Sequence, residues 1–164
     1  MPFVVKYQKL QMEAFTMIYE LMTKKHLKTI EKLQQEWVAE DITYGVAAGT
    51  IEQLEELLTP YCFVVKNEQE IIGYLMAEAH KDNEFCIFPI GASYIEVYDL
   101  FVTKKYRASG FGKKLLQLCE EKAAQNGIKQ MLLSSATKDA DTIRDFYTQN
   151  DYKIWTTQFF KTLD

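Results

Sequence analysis

The segment from Tyr94 to Val102 constrains this chain more than any other. Ile95 and Val97 place apolar side chains on odd positions, whereas Leu100 and Val102 place them on even ones. A strand has a side-chain period of two, so the apolar face changes phase between Val97 and Leu100. The device that shifts the phase within one strand is a β-bulge. The next stretch is also restrictive. Tyr106-Arg107-Ala108-Ser109-Gly110-Phe111-Gly112-Lys113-Lys114-Leu115 follows the strand and opens a helix. Two glycines one residue apart allow a tight backbone path with several N–H groups pointing outward. The helix N-terminus adds unpaired donors and a partial positive charge. Together they form a cradle for a phosphate or pyrophosphate, with Arg107, Lys113 and Lys114 as nearby cations.

Two other phosphate loops do not fit. A P-loop needs Gly-Lys-Ser/Thr after four intervening residues, and Gly112-Lys113-Lys114 has neither that spacing nor the hydroxyl for Mg²⁺. A dinucleotide fingerprint needs a third glycine or alanine where Leu115 stands. It also needs an acid at the end of the following strand, where Leu132-Leu133-Ser134-Ser135 lies.

The rest of the pattern predicts β, helices, β-β-β, α, β, α, β. Phe3 to Tyr7 reads as a strand. From about Gln8 to Thr59 the pattern is helical, with Met12, Phe15, Tyr19 and Met22 at helical spacing, and likewise Ile30, Leu33 and Trp37. Gly45 and Gly49 interrupt it, Ile51 to Leu58 resumes it, and Pro60 ends it. Tyr61–Lys66 and Ile71–Ala79 form a hairpin about the turn Asn67–Glu70, and Lys81–Gly91 is a loop. Phe111–Gln125 is a helix with Leu115, Leu116, Cys119 and Ala123 on its apolar face, stopped by Asn126-Gly127. Ile128–Ser134 is a buried strand, Asp139–Gln149 a helix, and Tyr152–Lys161 a final strand or pair of strands. The implied architecture is one α/β domain with a mixed sheet and helices on both faces.

Composition narrows the function classes. The 164 residues carry a net charge of −4 with a pI near 5.3, which argues against nucleic acid as a partner. No run approaches the roughly 18 apolar residues of a membrane span. Cys62, Cys86 and Cys119 are odd in number, far apart and without metal-ligand spacing, which predicts reduced thiols, no metal and a cytoplasmic protein. His26 and His80 stand without a visible nucleophile partner. Glu31, Glu36, Glu40 and Asp41 near Trp37 and Tyr44 read as a solvated helix face, with an amine-attracting rim as the sharper reading.

Leu100-Phe101-Val102, then Tyr106-Arg107-Ala108-Ser109-Gly110-Phe111-Gly112 and Leu115, resembles the GCN5-related N-acetyltransferase (GNAT) superfamily. Its motif is a strand ending in a hydrophobic triplet, then Arg/Gln-x-x-Gly-x-Gly/Ala at a helix start. Phe146-Tyr147 late in a helix is similar to a second family motif. Asp151-Tyr152 stands where Gly-Phe is usual, and Ala140 stands where Asn is usual. The resemblance covers about residues 60–160. It implies a single domain over 1–164 with a mostly antiparallel sheet and a bulged, splayed central strand. Residues 1–60 would be variable acceptor-side helices, and 61–161 the acyl-CoA-binding core. It further implies transfer of an acetyl group from acetyl-CoA to a primary amine of a small molecule or peptide, with a homodimer among the possible assemblies. The alternative is a non-catalytic CoA-binding or regulatory module. Leu100, Phe101 and Val102 would pair with pantetheine amides, and Arg107, Ala108, Ser109, Gly110, Phe111, Gly112 and Lys113 would hold the pyrophosphate.

An acceptor amine with a pKa near about 10.4 needs a base. Glu96 and Asp99 are the candidates. Glu96 would share an even-numbered face with Tyr94 and Tyr98 and, if that face borders the acceptor cleft, reach the incoming amine through a water, whereas Asp99 would be held in the bulge by backbone N–H groups and serve structure. Tyr147 is the candidate acid for the leaving thiolate.

Overall fold

The computed structural model describes residues 16–81 and 87–163. The expected strand Phe3–Tyr7 and the residue Cys86 lie outside them. In chain order the elements are β1 (Ile18–Leu21), α1 (Leu27–Glu40), α2 (Ile51–Glu56), β2 (Phe63–Lys66), β3 (Ile71–Lys81), β4 (Ser93–Val102), α3 (Phe111–Gln125), β5 (Gln130–Leu133) and α4 (Ala140–Thr148). The five strands form one sheet in sequence order, antiparallel except for the parallel β4–β5 pair.

Each face of the sheet buries one helical stripe. Leu115, Leu116, Cys119 and Ala123 of α3 pack on Ile72, Leu75, Ala77, Ile95 and Val97. Leu27, Ile30 and Leu33 of α1 pack on Val64, Tyr74, Met76 and Phe101 on the opposite face. The second helix begins at a reciprocal cap: the Gln53 side chain accepts from the Thr50 N–H at 2.9 Å, and Thr50 Oγ1 accepts from the Gln53 N–H at 3.4 Å.

The bulge lies where the sequence places it. Met76 faces Asp99 and Ala77 faces Val97, so Tyr98 is the extra residue. Before it, Ile95 and Val97 point to α3. After it, Leu100 packs on that side and Phe101 crosses to the α1 side. Pairing with β5 runs from Tyr94↔Gln130 to Val97↔Leu133 and stops one residue before the bulge, so the two strands part there.

Three expectations change. Tyr19 lies in β1, opposite Val65, not in a helix. A four-residue strand is too short to show its own period, and apolar residues from neighbouring elements completed a helical pattern that pairing overrides. The expected buried strand near Ile128 is shorter, and all four residues of β5 are half-buried, because β5 lies at the sheet edge. The expected strand from Tyr152 to Lys161 is absent. Ile154, Trp155, Phe159 and Phe160 are exposed, and a segment with strand composition forms no strand without a ladder partner.

Gly73 of β3 sets how closely the core strands approach. A Cβ there would lie 2.8 Å from the Phe101 carbonyl oxygen and 3.1 Å from Val102 Cγ2. Gly73→Ala is therefore expected to destabilise the fold by about 1–3 kcal/mol, measured by denaturant unfolding, because backbone rather than a flexible side chain must give way.

Candidate active site

The loop that opens α3 has the conformation its glycines permit. Ala108 has φ 59° and Gly110 has φ 83°, and Gly110 is the N-cap of α3. The Lys114 N–H bonds the Gly110 carbonyl at 3.0 Å, and the donors of the helix ahead of it have no partner within the helix. Gly112 lies beside the Phe146 ring: a Cβ there would meet it in ordinary contact at 3.6 Å. Phe146-Tyr147 of α4 thus rests against the start of α3, which joins the two sequence motifs.

Arg107 does not add a free charge to this loop. Nη1 and Nη2 each donate to a Glu40 carboxylate oxygen at 2.7 Å, and Nε donates to the Val102 carbonyl at 2.8 Å. The guanidinium also lies over the Phe101 ring at 5.3 Å, and Trp37 stacks on the same ring. Two of the four acids grouped near Trp37 and Tyr44 are taken up by cations. Glu40 is paired with Arg107, and Asp41 is paired with Lys138 at 2.7 Å. Lys113 remains exposed beside the loop.

Where β4 and β5 part, a cleft of about 660 Å³ opens, lined by Val97–Val102, Arg107, Leu133–Thr137 and Tyr147. Residues 42–47 form a strap along it. The Tyr44 N–H bonds the Ala136 carbonyl at 2.8 Å, the Lys138 N–H bonds the Ile42 carbonyl at 2.9 Å, and Thr43 bridges Thr137. A side pocket of about 390 Å³ lies beyond the bulge, lined by Gln34, Ala47, Gly49, Gln53, Leu54, Glu56, Leu57, Met76, Tyr98 and Asp99. Tyr98, Asp99 and Ala47 border both spaces.

The two candidate bases differ in setting. Asp99 Oδ2 accepts from Gln34 Nε2 at 2.7 Å and from the Tyr74 hydroxyl at 3.2 Å, so side chains rather than the expected backbone N–H groups hold it. Burial raises its pKa above the ordinary carboxylate range, and these two hydrogen bonds oppose the shift. Glu96 stands opposite Glu78 in the β3–β4 ladder, 3.6 Å from His80 Nε2, and borders neither space. His80 has partners after all: its Nε2 meets the Tyr98 hydroxyl, which also donates to Glu78 at 3.0 Å. Tyr147 borders the cleft, and burial pushes its pKa up to about 12. Among the described residues no group of three or more His, Cys, Asp or Glu is placed to hold a metal ion.

Gln34 was missed by the sequence reading. Its signal is a polar residue on the buried stripe of α1, beside Ile30 and Leu33. Its carbonyl oxygen accepts from the Gly49 N–H at 2.8 Å, which orients its amide nitrogen toward Asp99.

The raised Asp99 pKa has a sign that can be tested. The folded chain holds this proton more tightly than the unfolded chain, whose carboxyl titrates near about 3.9. Between that value and the raised folded one, the Asp99 contribution weakens stability as pH rises. Asp99→Asn keeps an oxygen for both donors. It is expected to flatten the stability–pH curve in that window and to melt no lower than the parent at neutral pH. Thermal melts across the acid range check this, and an unchanged slope would assign the titration to another group.

The acetyltransferase (GNAT) family profile matches residues 17–152. Solved structures share the fold. An aminoglycoside acetyltransferase from an uncultured soil metagenomic sample, in complex with sisomicin, is 22% identical, with 90% of this chain and 97% of that chain covered at a TM-score of 0.65. Aminoglycoside N-acetyltransferase AAC(6')-Iy in complex with CoA is 16% identical, with 93% and 99% covered at 0.69. A ribosomal-protein-alanine N-acetyltransferase from Brucella melitensis biovar Abortus 2308 is 15% identical, with 89% and 99% covered at 0.64. No curated protein sequence matches the chain. With its bulged fourth strand, parted β4–β5 pair and glycine-capped α3, the chain belongs to the acetyltransferase (GNAT) family.

Proposed function

We propose that the chain transfers an acetyl group from acetyl-CoA to the primary amine of a small molecule that carries no anionic group. The observation that carries this reading is the position of Asp99, a shielded carboxyl bordering both the cleft and the side pocket. The cleft takes the acyl donor. Its pyrophosphate would lie at the start of α3, where Gly110 and the first-turn donors fit an anion and Lys113 adds charge. The side pocket takes the acceptor. The charged residues lining it, Glu56 and Asp99, are both acidic, and Leu54, Leu57 and Met76 supply an apolar wall. An amine with a short apolar arm fits that lining, and a carboxylate or phosphate on the acceptor would meet repulsion.

In the reaction the amine nitrogen bonds to the thioester carbonyl carbon and the carbon–sulfur bond breaks. Asp99 accepts the proton that the nitrogen loses, since its raised pKa brings it closer to the working pH. Tyr147 gives its phenolic proton to the departing thiolate. An acyl acceptor lying between the two would keep the transferred protons on opposite sides of the reacting carbon. Glu96 belongs in this reading to the outer rim rather than to the base role. The recorded relatives that act on aminoglycosides support a small-molecule acceptor.

Thiol release from acetyl-CoA, measured with a panel of diamines, aminoglycosides, amino acids and peptide N-termini, tests the activity. Cationic amines are expected to turn over, and acceptors with carboxylates to fail. CoA binding without thiol release for any amine would indicate a non-catalytic CoA-binding module. CoA at about 100 times its dissociation constant should add roughly 2.7 kcal/mol of stability. Gly110→Val should lose that gain, since a β-branched residue is strained at φ 83°. Asp99→Asn and Tyr147→Phe should each lower turnover by about 10²–10⁴-fold with CoA binding retained. A Glu96→Gln variant that loses as much would move the base role to Glu96.

A further inference from the structure

The α1 helix ends at Glu40, and that residue holds an arginine 67 positions away in the phosphate loop. The two terminal guanidinium nitrogens each donate to one carboxylate oxygen at 2.7 Å, a fork-to-fork geometry that fixes orientation as well as distance. The Glu40 side chain is only 16% exposed. The third guanidinium donor is fixed on the Val102 carbonyl at the end of β4. Immediately after Glu40, Asp41 turns the chain out of the helix with φ 52°, and the strap begins. The strap is then tied to the far side of the cleft through Tyr44 and Lys138. Trp37 Nε1 adds a bond to Thr43 Oγ1 at 2.9 Å. One continuous run of contacts therefore leads from the phosphate loop through Arg107 and Glu40 to the strap.

We propose that Glu40 is a positioning residue that, by clamping Arg107, couples the donor-phosphate loop to the strap along the cleft. The family motif accepts glutamine in place of Arg107. Glutamine could donate to the Val102 carbonyl but could not form the two-pronged pair with Glu40. The clamp is therefore a property of this chain's particular residues, and it gives Arg107 a task other than phosphate binding. Donor bound at the start of α3 holds residues 107–113 in one arrangement. That arrangement presents Arg107 to Glu40, fixes the end of α1, and suppresses opening of the strap. Reciprocally, a closed strap favours the donor-bound loop.

This inference rests on the proposed donor site, and its test separates the two. Hydrogen exchange is followed at the Tyr44 and Lys138 amides, with the β3–β4 amides as reference, in the parent and in Glu40→Gln. Each protein is measured free and with CoA. Without CoA, Glu40→Gln should speed strap exchange about tenfold relative to the reference amides. With CoA, the parent strap should slow by about tenfold, and the variant strap should not slow although CoA still raises its melting temperature. Arg107→Lys, which keeps the charge and loses the fork, should behave like Glu40→Gln. With any accepted amine, Glu40→Gln should raise the acceptor KM about tenfold and leave the acetyl-CoA KM within about threefold. Equal slowing by CoA in parent and variant would overturn the coupling. Loss of CoA binding in Glu40→Gln would overturn it too, by placing Glu40 in the donor site itself. If CoA leaves the parent's melting temperature unmoved, the donor reading fails, and the CoA-free arm alone decides whether Glu40 holds the strap.

Discussion

Everything at the candidate site depends on one extra residue in one strand. Tyr98 has no partner of its own in the β3–β4 ladder, and its insertion turns the remainder of β4 over. Phe101 thereby reaches the α1 side, where Trp37 and the Arg107 guanidinium lie against its ring. Asp99 is brought under Gln34 and Tyr74 instead of pointing to solvent. The same bend ends pairing with β5 at Val97 and opens the cleft. Removal of that residue would restore a continuous pleat and close the gap between the strands, because register in a sheet allows only two faces.

Local rules made much of this legible. The phase slip from Val97 to Leu100 and the Gly110-x-Gly112 spacing are short-range signals that depend on backbone geometry, and both gave the observed structure. The helix Phe111–Gln125 has the bounds its apolar spacing implies. Long-range pairing is less visible. Nothing near Glu40 marks it as the partner of Arg107, and nothing near Asp41 marks it as the partner of Lys138. The strand read over Tyr152–Lys161 shows the reverse error: β-type composition states what a segment can do, and a neighbour decides whether it does. The first strand, Ile18–Leu21, was hidden by its length.

The acidic character of α1 illustrates how charge counts mislead. Four acids in eleven residues suggest a field that draws cations, yet two of the four are neutralised by a basic residue from the opposite half of the chain. The acid that borders both spaces, Asp99, carries no cationic partner among the described residues. It is held by a neutral amide and a phenol. Pairing separates the two kinds of carboxylate: those with a cation fix architecture, whereas one held by neutral donors keeps a proton affinity that chemistry can use.

Gly112 and Phe146 are 34 positions apart and meet at the start of α3, where a methyl at 112 would come into ordinary contact with the ring at 3.6 Å. In terms of sequence variation they are neighbours rather than separate sites. A methyl gained at 112 would touch the ring without displacing it. A change in the loop that opens α3 is therefore felt first by a helix that follows it by a whole strand.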